Sequence, residues 1–121
     1  MDPQNKILLV EDDENIRLLY SEELKEEGYY VTAIPSDNRI MEKISSEIPD
    51  IIILDTLLKN DNIGYLLDNI KKQYPKLPVI QLISNGKGKK NVSALYAKII
   101  KSLDLRELKS TISLLLLVRK T

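Results

Sequence analysis

Acidic side chains follow two apolar stretches of this 121-residue chain, each where the stretch ends. KILLV is followed by Glu11 and Asp12, and IIIL is followed by Asp55. Two carboxylates about 4 Å apart repel by roughly 4 kcal/mol at an effective dielectric of 20, so a cluster of them requires a cation or a raised pKa. Oxygen ligands suit Mg²⁺, and a carboxylate can attack phosphorus. If these strand ends meet, the residues indicate metal-assisted phosphoryl transfer.

A lysine and a serine lie at the ends of two later apolar stretches. LPVIQLIS ends at Ser84 and AKIIK ends at Lys101. Lys101 could place a positive charge on a transferring phosphoryl group, and the Ser84 hydroxyl could donate a hydrogen bond to it. Simpler roles stay open: Asp55 as a helix-capping carboxylate, Lys101 as a solvated lysine, and Ser84 as a hydroxyl in a local turn.

The composition limits the other chemistry that the chain can perform. Cysteine and histidine are both absent, which excludes disulfides, thiolate metal sites and imidazole bases. The 18 basic residues balance the 18 acidic ones, so net charge favours neither nucleic acid nor an anionic membrane as a partner. The apolar runs are too short to span a membrane, and the first residues contain no apolar signal segment. We therefore expect a cytoplasmic protein.

Strand and helix patterns alternate about five times along the chain. The predicted strands are Lys6–Val10, Tyr29–Ile34, Pro49–Asp55, Leu77–Ser84 and Ala97–Lys101. Ser36 or Asp37 is predicted to cap the second helix, and VSALY predicts a short helical turn before the last strand. The alternation predicts one α/β domain over residues 1–121, with a doubly wound parallel sheet. In the strand order 2-1-3-4-5, a ligand site lies between strands 1 and 3.

Taken together, the motifs resemble the CheY-like receiver domain of response regulators. LLVEDDENIRLLYSEELKEEGYYV, PDIIILDTLL, LPVIQLIS and KSLDLREL follow the family's order over nearly the whole chain. The resemblance implies a (βα)5 flavodoxin-like fold and phosphorylation of Asp55 by a histidine kinase or phosphotransfer protein. It also implies that Glu11, Asp12, Asp55 and the backbone carbonyl of Leu57 hold Mg²⁺, and that Lys101 contacts the phosphoryl group.

Several departures from the family pattern concern signal output. The switch hydroxyl position falls on Ile83, with Ser84 one place late as a substitute, and the switch aromatic position is Lys98. Ser102 replaces the family's cis-proline, so we expect a trans peptide bond there. The segment from Ser84 to Lys101 is shorter than the family pattern, which predicts a short or irregular fourth helix.

The main hypothesis is a phosphorylation-controlled switch in a two-component phosphorelay, with at most slow self-dephosphorylation. An output domain or partner protein is expected at the face of strands 4 and 5, and neither nucleic acid nor membrane is expected to bind this domain. The alternative is a pseudo-receiver that acts as a constitutive protein–protein interaction domain. A metal-dependent phosphohydrolase is disfavoured because such enzymes need an aspartate where this chain has Leu57.

Overall fold

The structure, a computed structural model, describes residues 4–36, 39–55, 63–83, 91–93 and 95–119. Within these ranges the chain forms six strands and four helices. In chain order they are β1 (Lys6–Val10), α1 (Glu14–Glu26), β2 (Tyr30–Ile34), α2 (Ile40–Glu47), β3 (Ile51–Asp55), α3 (Ile63–Gln73), β4 (Val79–Ile83), β5 (Asn91–Ser93), β6 (Tyr96–Ile100) and α4 (Arg106–Arg119).

All strands belong to one sheet of order β2-β1-β3-β4-β6-β5. The first five strands in this order are parallel, and β6 takes the place of the predicted fifth strand, which confirms the order 2-1-3-4-5. Val10 pairs with both Ile34 and Leu54, so the carboxyl ends of β1, β2 and β3 are level. This register brings the residues that follow these strands to one edge of the sheet.

The segment before β6 differs from the sequence prediction. The predicted helical turn in VSALY is wrong, because Val92 and Ser93 belong to β5, which pairs antiparallel with β6. A five-residue apolar pattern does not separate a helical turn from a strand, and pairing with β6 satisfies backbone groups that an isolated turn would leave to water. The sheet therefore has one short antiparallel strand beyond the five predicted ones.

Apolar side chains pack on both faces of the sheet. One face packs against α1 and α4, and the other packs against α2 and α3. The last helix, α4, buries Leu108, Ile112, Leu115 and Leu116, and Leu105 just before it is buried as well. All five residues of β3 are buried, as expected for a central parallel strand covered on both faces. Among the described residues, no helix is long and apolar enough to cross a membrane.

We predict that shortening a central side chain of β3 strongly destabilises the domain. Ile53 is fully buried, so Ile53→Ala removes buried methyl groups and leaves a cavity, at a cost of about 2–5 kcal/mol in the free energy of unfolding. Leu117→Ala is the control, because that leucine is 65% exposed and its loss should change the free energy by about 0.5 kcal/mol or less. Urea denaturation measures both. Equal losses would contradict the assignment of β3 to the centre of the core.

Candidate functional site

Lys101 joins two buried carboxylates at the carboxyl edge of the sheet. Its Nζ atom donates a hydrogen bond of 2.5 Å to Asp55 Oδ2 and lies 2.5 Å from Glu11 Oε1. Glu11 is 1% exposed and Asp55 is 2% exposed, whereas the lysine side chain is 18% exposed. The structure thus brings together three of the residues that the sequence predicted for the site.

The sheet positions these three residues. Asp55 is the last residue of β3, Glu11 follows β1 directly, and Lys101 follows β6 directly. Backbone hydrogen bonds extend the sheet by one residue beyond two of these ends: Glu11 N donates to Ile34 O at 3.0 Å, and Lys101 N donates to Ile83 O at 2.8 Å. Each side chain therefore starts from a backbone that is already fixed by its neighbouring strand.

The cluster has more negative than positive charge. The pKa of Glu11 is raised to about 7: burial is the main cause, the nearby Asp55 carboxylate adds to it, and Lys101 acts in the opposite direction. Burial alone would lower the pKa of Lys101, but its contacts with Asp55 and Glu11 outweigh this and raise it. One ammonium therefore does not neutralise both carboxylates, and the cluster favours an additional proton or cation.

Asp12 and Asp13, the next two acidic residues, have different partners. The Asp12 carboxylate accepts hydrogen bonds from Ser36 N at 2.7 Å and from Ser36 Oγ at 2.8 Å. Asp13 caps α1, because its side chain accepts from the backbone N–H groups of Asn15 and Ile16. Of these three acidic residues, Glu11 therefore belongs to the buried cluster, Asp12 is bonded to Ser36 beyond β2, and Asp13 is a helix cap.

The donor atoms suit Mg²⁺, although they do not surround a metal ion in this arrangement. Oε1 of the buried Glu11 side chain meets the Lys101 ammonium, whereas Oε2 accepts no hydrogen bond within the described part of the chain. Mg²⁺ is commonly held by one or two carboxylates together with water and phosphate oxygens, and Glu11 and Asp55 offer such a pair. In the described ranges, no three acidic side chains converge as a ready metal site, since Asp12 is turned to Ser36.

Two predicted site residues, Leu57 and Ser84, lie outside the described residues. Ile83, at the position of the switch hydroxyl, is a buried residue of β4. Lys98 lies on β6 and is partly exposed. The described chain has no cis peptide bond, which confirms the prediction of a trans bond before Ser102.

Sequence reasoning missed the partner of Asp12. Ser36 was expected to be a possible cap of α2, but that helix begins at Ile40 with no side-chain cap hydrogen bond, and Ser36 binds Asp12 instead. The signal was present in the sequence: Ser36 follows β2, and β2 neighbours β1 in the predicted order. Because β1 lies between β2 and β3, a residue directly after β2 is a neighbour of the acidic run just as a residue at the end of β3 is.

Comparison with known proteins gives one consistent family. The model of the response regulator receiver domain matches residues 7–113. An NtrX-like response regulator of Rickettsia felis is 33% identical over 94 residues, which cover 76% of this chain and 20% of that protein. The chain spans about a fifth of the length of this protein and of the NtrX-like relatives from two other Rickettsia species.

Solved structures agree with this match. The response regulator TrrA of Thermotoga maritima, in complex with Mg²⁺ and BeF, has a TM-score of 0.80 and 28% identity, over 93% of this chain and 99% of that one. The complex of the histidine kinase ThkA with TrrA gives a TM-score of 0.79 and 28% identity, over 93% of this chain and 98% of that one.

We predict that Glu11→Gln stabilises the protein at pH 8 when EDTA removes divalent cations. The pKa of Glu11 in the folded protein is about 7, above the ordinary value of 4.5. The free energy of unfolding therefore falls as the pH rises from about 4.5 to about 7, because Glu11 must then ionise in a buried site. The glutamine should raise the free energy of unfolding by about 1–3 kcal/mol at pH 8, and by much less at pH 5. Urea denaturation at both pH values measures this. Glu22→Gln, on the exposed side of α1, is the control. A loss of stability at pH 8 would contradict the surplus of negative charge.

Proposed function

Because this chain belongs to the response regulator receiver domain family, we propose that it is a switch in a two-component phosphorelay, phosphorylated on Asp55 by a histidine kinase or phosphotransfer protein. The single observation that carries the assignment to Asp55 is the contact of this buried carboxylate with Lys101 at the switch point of the sheet. Support for the kinase as donor comes from TrrA, which was crystallised with the histidine kinase ThkA.

The transfer is an in-line displacement at phosphorus. A carboxylate oxygen of Asp55 forms a bond to phosphorus while the bond from phosphorus to the donor's imidazole nitrogen breaks. The bonding electron pair stays on that nitrogen, and the donor leaves as a neutral imidazole because its other ring nitrogen carries a proton. Lys101 already touches Asp55 and can hydrogen-bond to an oxygen of the arriving phosphoryl group, so its charge offsets the charge that the group brings.

Glu11, Asp12, Asp55 and the backbone carbonyl of Leu57 would hold Mg²⁺ in this proposal. When bound, Mg²⁺ supplies positive charge to the phosphoryl oxygens. Asp12 would exchange its hydrogen bonds with Ser36 for a direct or water-mediated contact with the metal. The proposal is supported by the surplus of negative charge around Glu11 and by the Mg²⁺ in the TrrA structure.

The proposed role is that of a cytoplasmic switch, and its only enzymatic property would be slow hydrolysis of its own acyl phosphate. The buried charges favour this role over a constitutive pseudo-receiver, because burying two carboxylates and an ammonium costs free energy that a purely structural domain could avoid with apolar residues. A partner or output domain would contact the face of β4 and β6, where Tyr96 and Lys98 are partly exposed.

We predict that acetyl phosphate and Mg²⁺ add one phosphoryl group to the protein and none to Asp55→Asn. Asparagine keeps the size of the side chain but lacks the nucleophilic carboxylate. Intact mass spectrometry measures the adduct, and Asp68→Asn on the exposed surface of α3 is the control that should react like the parent protein. An adduct that persists in Asp55→Asn would place the chemistry on another residue and refute the assignment.

We predict that Mg²⁺ raises the thermal midpoint of the parent protein but has a much smaller effect on Asp12→Asn. A ligand that binds only the folded state stabilises it in proportion to RT ln(1 + [L]/Kd), so weaker binding gives a smaller shift. Thermal unfolding over a Mg²⁺ titration measures the effect. Asp13→Asn is the control, since asparagine also caps helices well and Asp13 has no part in the site. Equal shifts in all three proteins would remove Asp12 from the metal site.

A further inference from the structure

The hydroxyl of Tyr20 bonds to the backbone immediately after Lys101. It donates a hydrogen bond to Ser102 O and accepts one from Ser102 N at 3.3 Å, and we name these two bonds the Tyr20 bridge. Tyr20 is 1% exposed, lies on α1, and is separated from Ser102 by 82 positions in the sequence. A buried tyrosine needs a partner for its hydroxyl, and here both partners belong to one peptide segment of the site.

From this contact we infer that Tyr20 is a positioning residue for phosphoryl transfer, which holds Lys101 in register with Asp55 through the backbone of Ser102. The inference rests on the proposed function, because it assigns to Tyr20 a role that acts through Lys101. Tyr20 touches neither Asp55 nor Glu11 in the described hydrogen bonds and ion pairs, so its effect must pass through the chain between residues 101 and 102.

The backbone on the other side of Lys101 is also fixed. Lys101 N donates to Ile83 O at 2.8 Å, which ties the residue to the end of β4. Without the Tyr20 bridge, the chain would be held before Lys101 but not directly after it. Ser102 has no ring to restrict its own φ angle, so its conformation depends on such contacts. Its side chain instead accepts a hydrogen bond from Asp104 N at 3.0 Å, which connects the segment to the start of α4.

The long lysine side chain makes this restraint matter. Lys101 has four rotatable side-chain bonds, and its ammonium must meet two carboxylates that come from two different strands. A small displacement of its backbone moves the ammonium away from one carboxylate, and small misplacements in a reactive site have large effects on rate. Since α1 starts directly after Asp13, the same helix begins beside the acidic residues and restrains the lysine through Tyr20, about 1.7 turns later.

The test compares Tyr20→Phe with the parent protein in the rate of phosphoryl transfer from acetyl phosphate, followed by intact mass at fixed Mg²⁺. Phenylalanine keeps the ring in the core and removes only the bridge. We expect the rate to fall about three- to tenfold, the effect of losing about one net hydrogen bond. Tyr29→Phe is the matched control, because its partly buried ring packs against the same core as Tyr20 and has no role in the site, so its rate should match the parent protein. An unchanged rate in Tyr20→Phe, or an equal fall in Tyr29→Phe, overturns the inference.

Two further readouts separate positioning from general destabilisation. In a Lys101→Ala background, Tyr20→Phe should cause no additional fall in rate, because the residue through which Tyr20 acts is gone. The Mg²⁺ dissociation constant of Tyr20→Phe should equal that of the parent protein. This second measurement separates positioning from general distortion even if the Lys101→Ala protein reacts too slowly to follow. A further fall in the alanine background, or a weakened Mg²⁺ affinity in Tyr20→Phe, would show a general distortion and overturn the inference.

The same experiment distinguishes the inference from the proposed function. If the parent protein forms no adduct, the proposed function fails and the positioning role fails with it. If the parent protein forms the adduct on Asp55 and Tyr20→Phe reacts at the same rate, only the positioning role fails.

Discussion

Burial of two carboxylates beside a single ammonium is the constraint on which the site depends. Glu11 and Asp55 are almost completely buried, and Lys101 is the cation that meets both. Ion pairs in such surroundings seldom stabilise a fold more than apolar residues of similar size would. The second carboxylate makes the arrangement less favourable still. Burial, and then the Asp55 carboxylate, therefore raise the pKa of Glu11. A site that holds uncompensated charge in this way is poised to accept a cation or a proton.

The parallel sheet brings these charged residues together. A side chain directly after a strand starts at the edge of the sheet, and the level ends of β1, β2 and β3 bring such positions together without any long loop. The apolar cores on both faces supply the stability that the charges reduce. Helix α1 contributes both to the site and to the core: Asp13 caps its start beside the site, while Tyr20 and Leu24 lie in the core. The costs of the site are thus offset by packing that is distributed over the whole domain.

The central strands and the meeting of Glu11, Asp55 and Lys101 could be predicted from the sequence because they depend on local patterns. Continuous apolar runs indicate buried parallel strands, and the residue after such a run must lie at the sheet edge. The strand order brings Ser36 near the acidic run, but the hydrogen bond between Ser36 and Asp12, like the Tyr20 bridge, could not be predicted in this way. Both depend on which rotamer a side chain adopts toward a distant segment. Tyr20 is a core residue of α1, and no sequence pattern indicates where its hydroxyl points.

The departures from the family pattern change how the site connects with the rest of the domain. Ile83 offers a carbonyl oxygen to Lys101 N, whereas its apolar side chain has no hydroxyl with which to contact a phosphoryl group. Apart from its two carboxylate partners, Lys101 is connected to the rest of the domain through its backbone. Lys101 N donates to the end of β4, and the next residue, Ser102, is hydrogen-bonded to α1 and to the segment before α4. A change of charge at Asp55 alters the position that the ammonium prefers, because Coulomb forces act strongly in a buried site. The backbone that carries the ammonium is bonded to these three elements, so they are the parts of the described structure that would respond first.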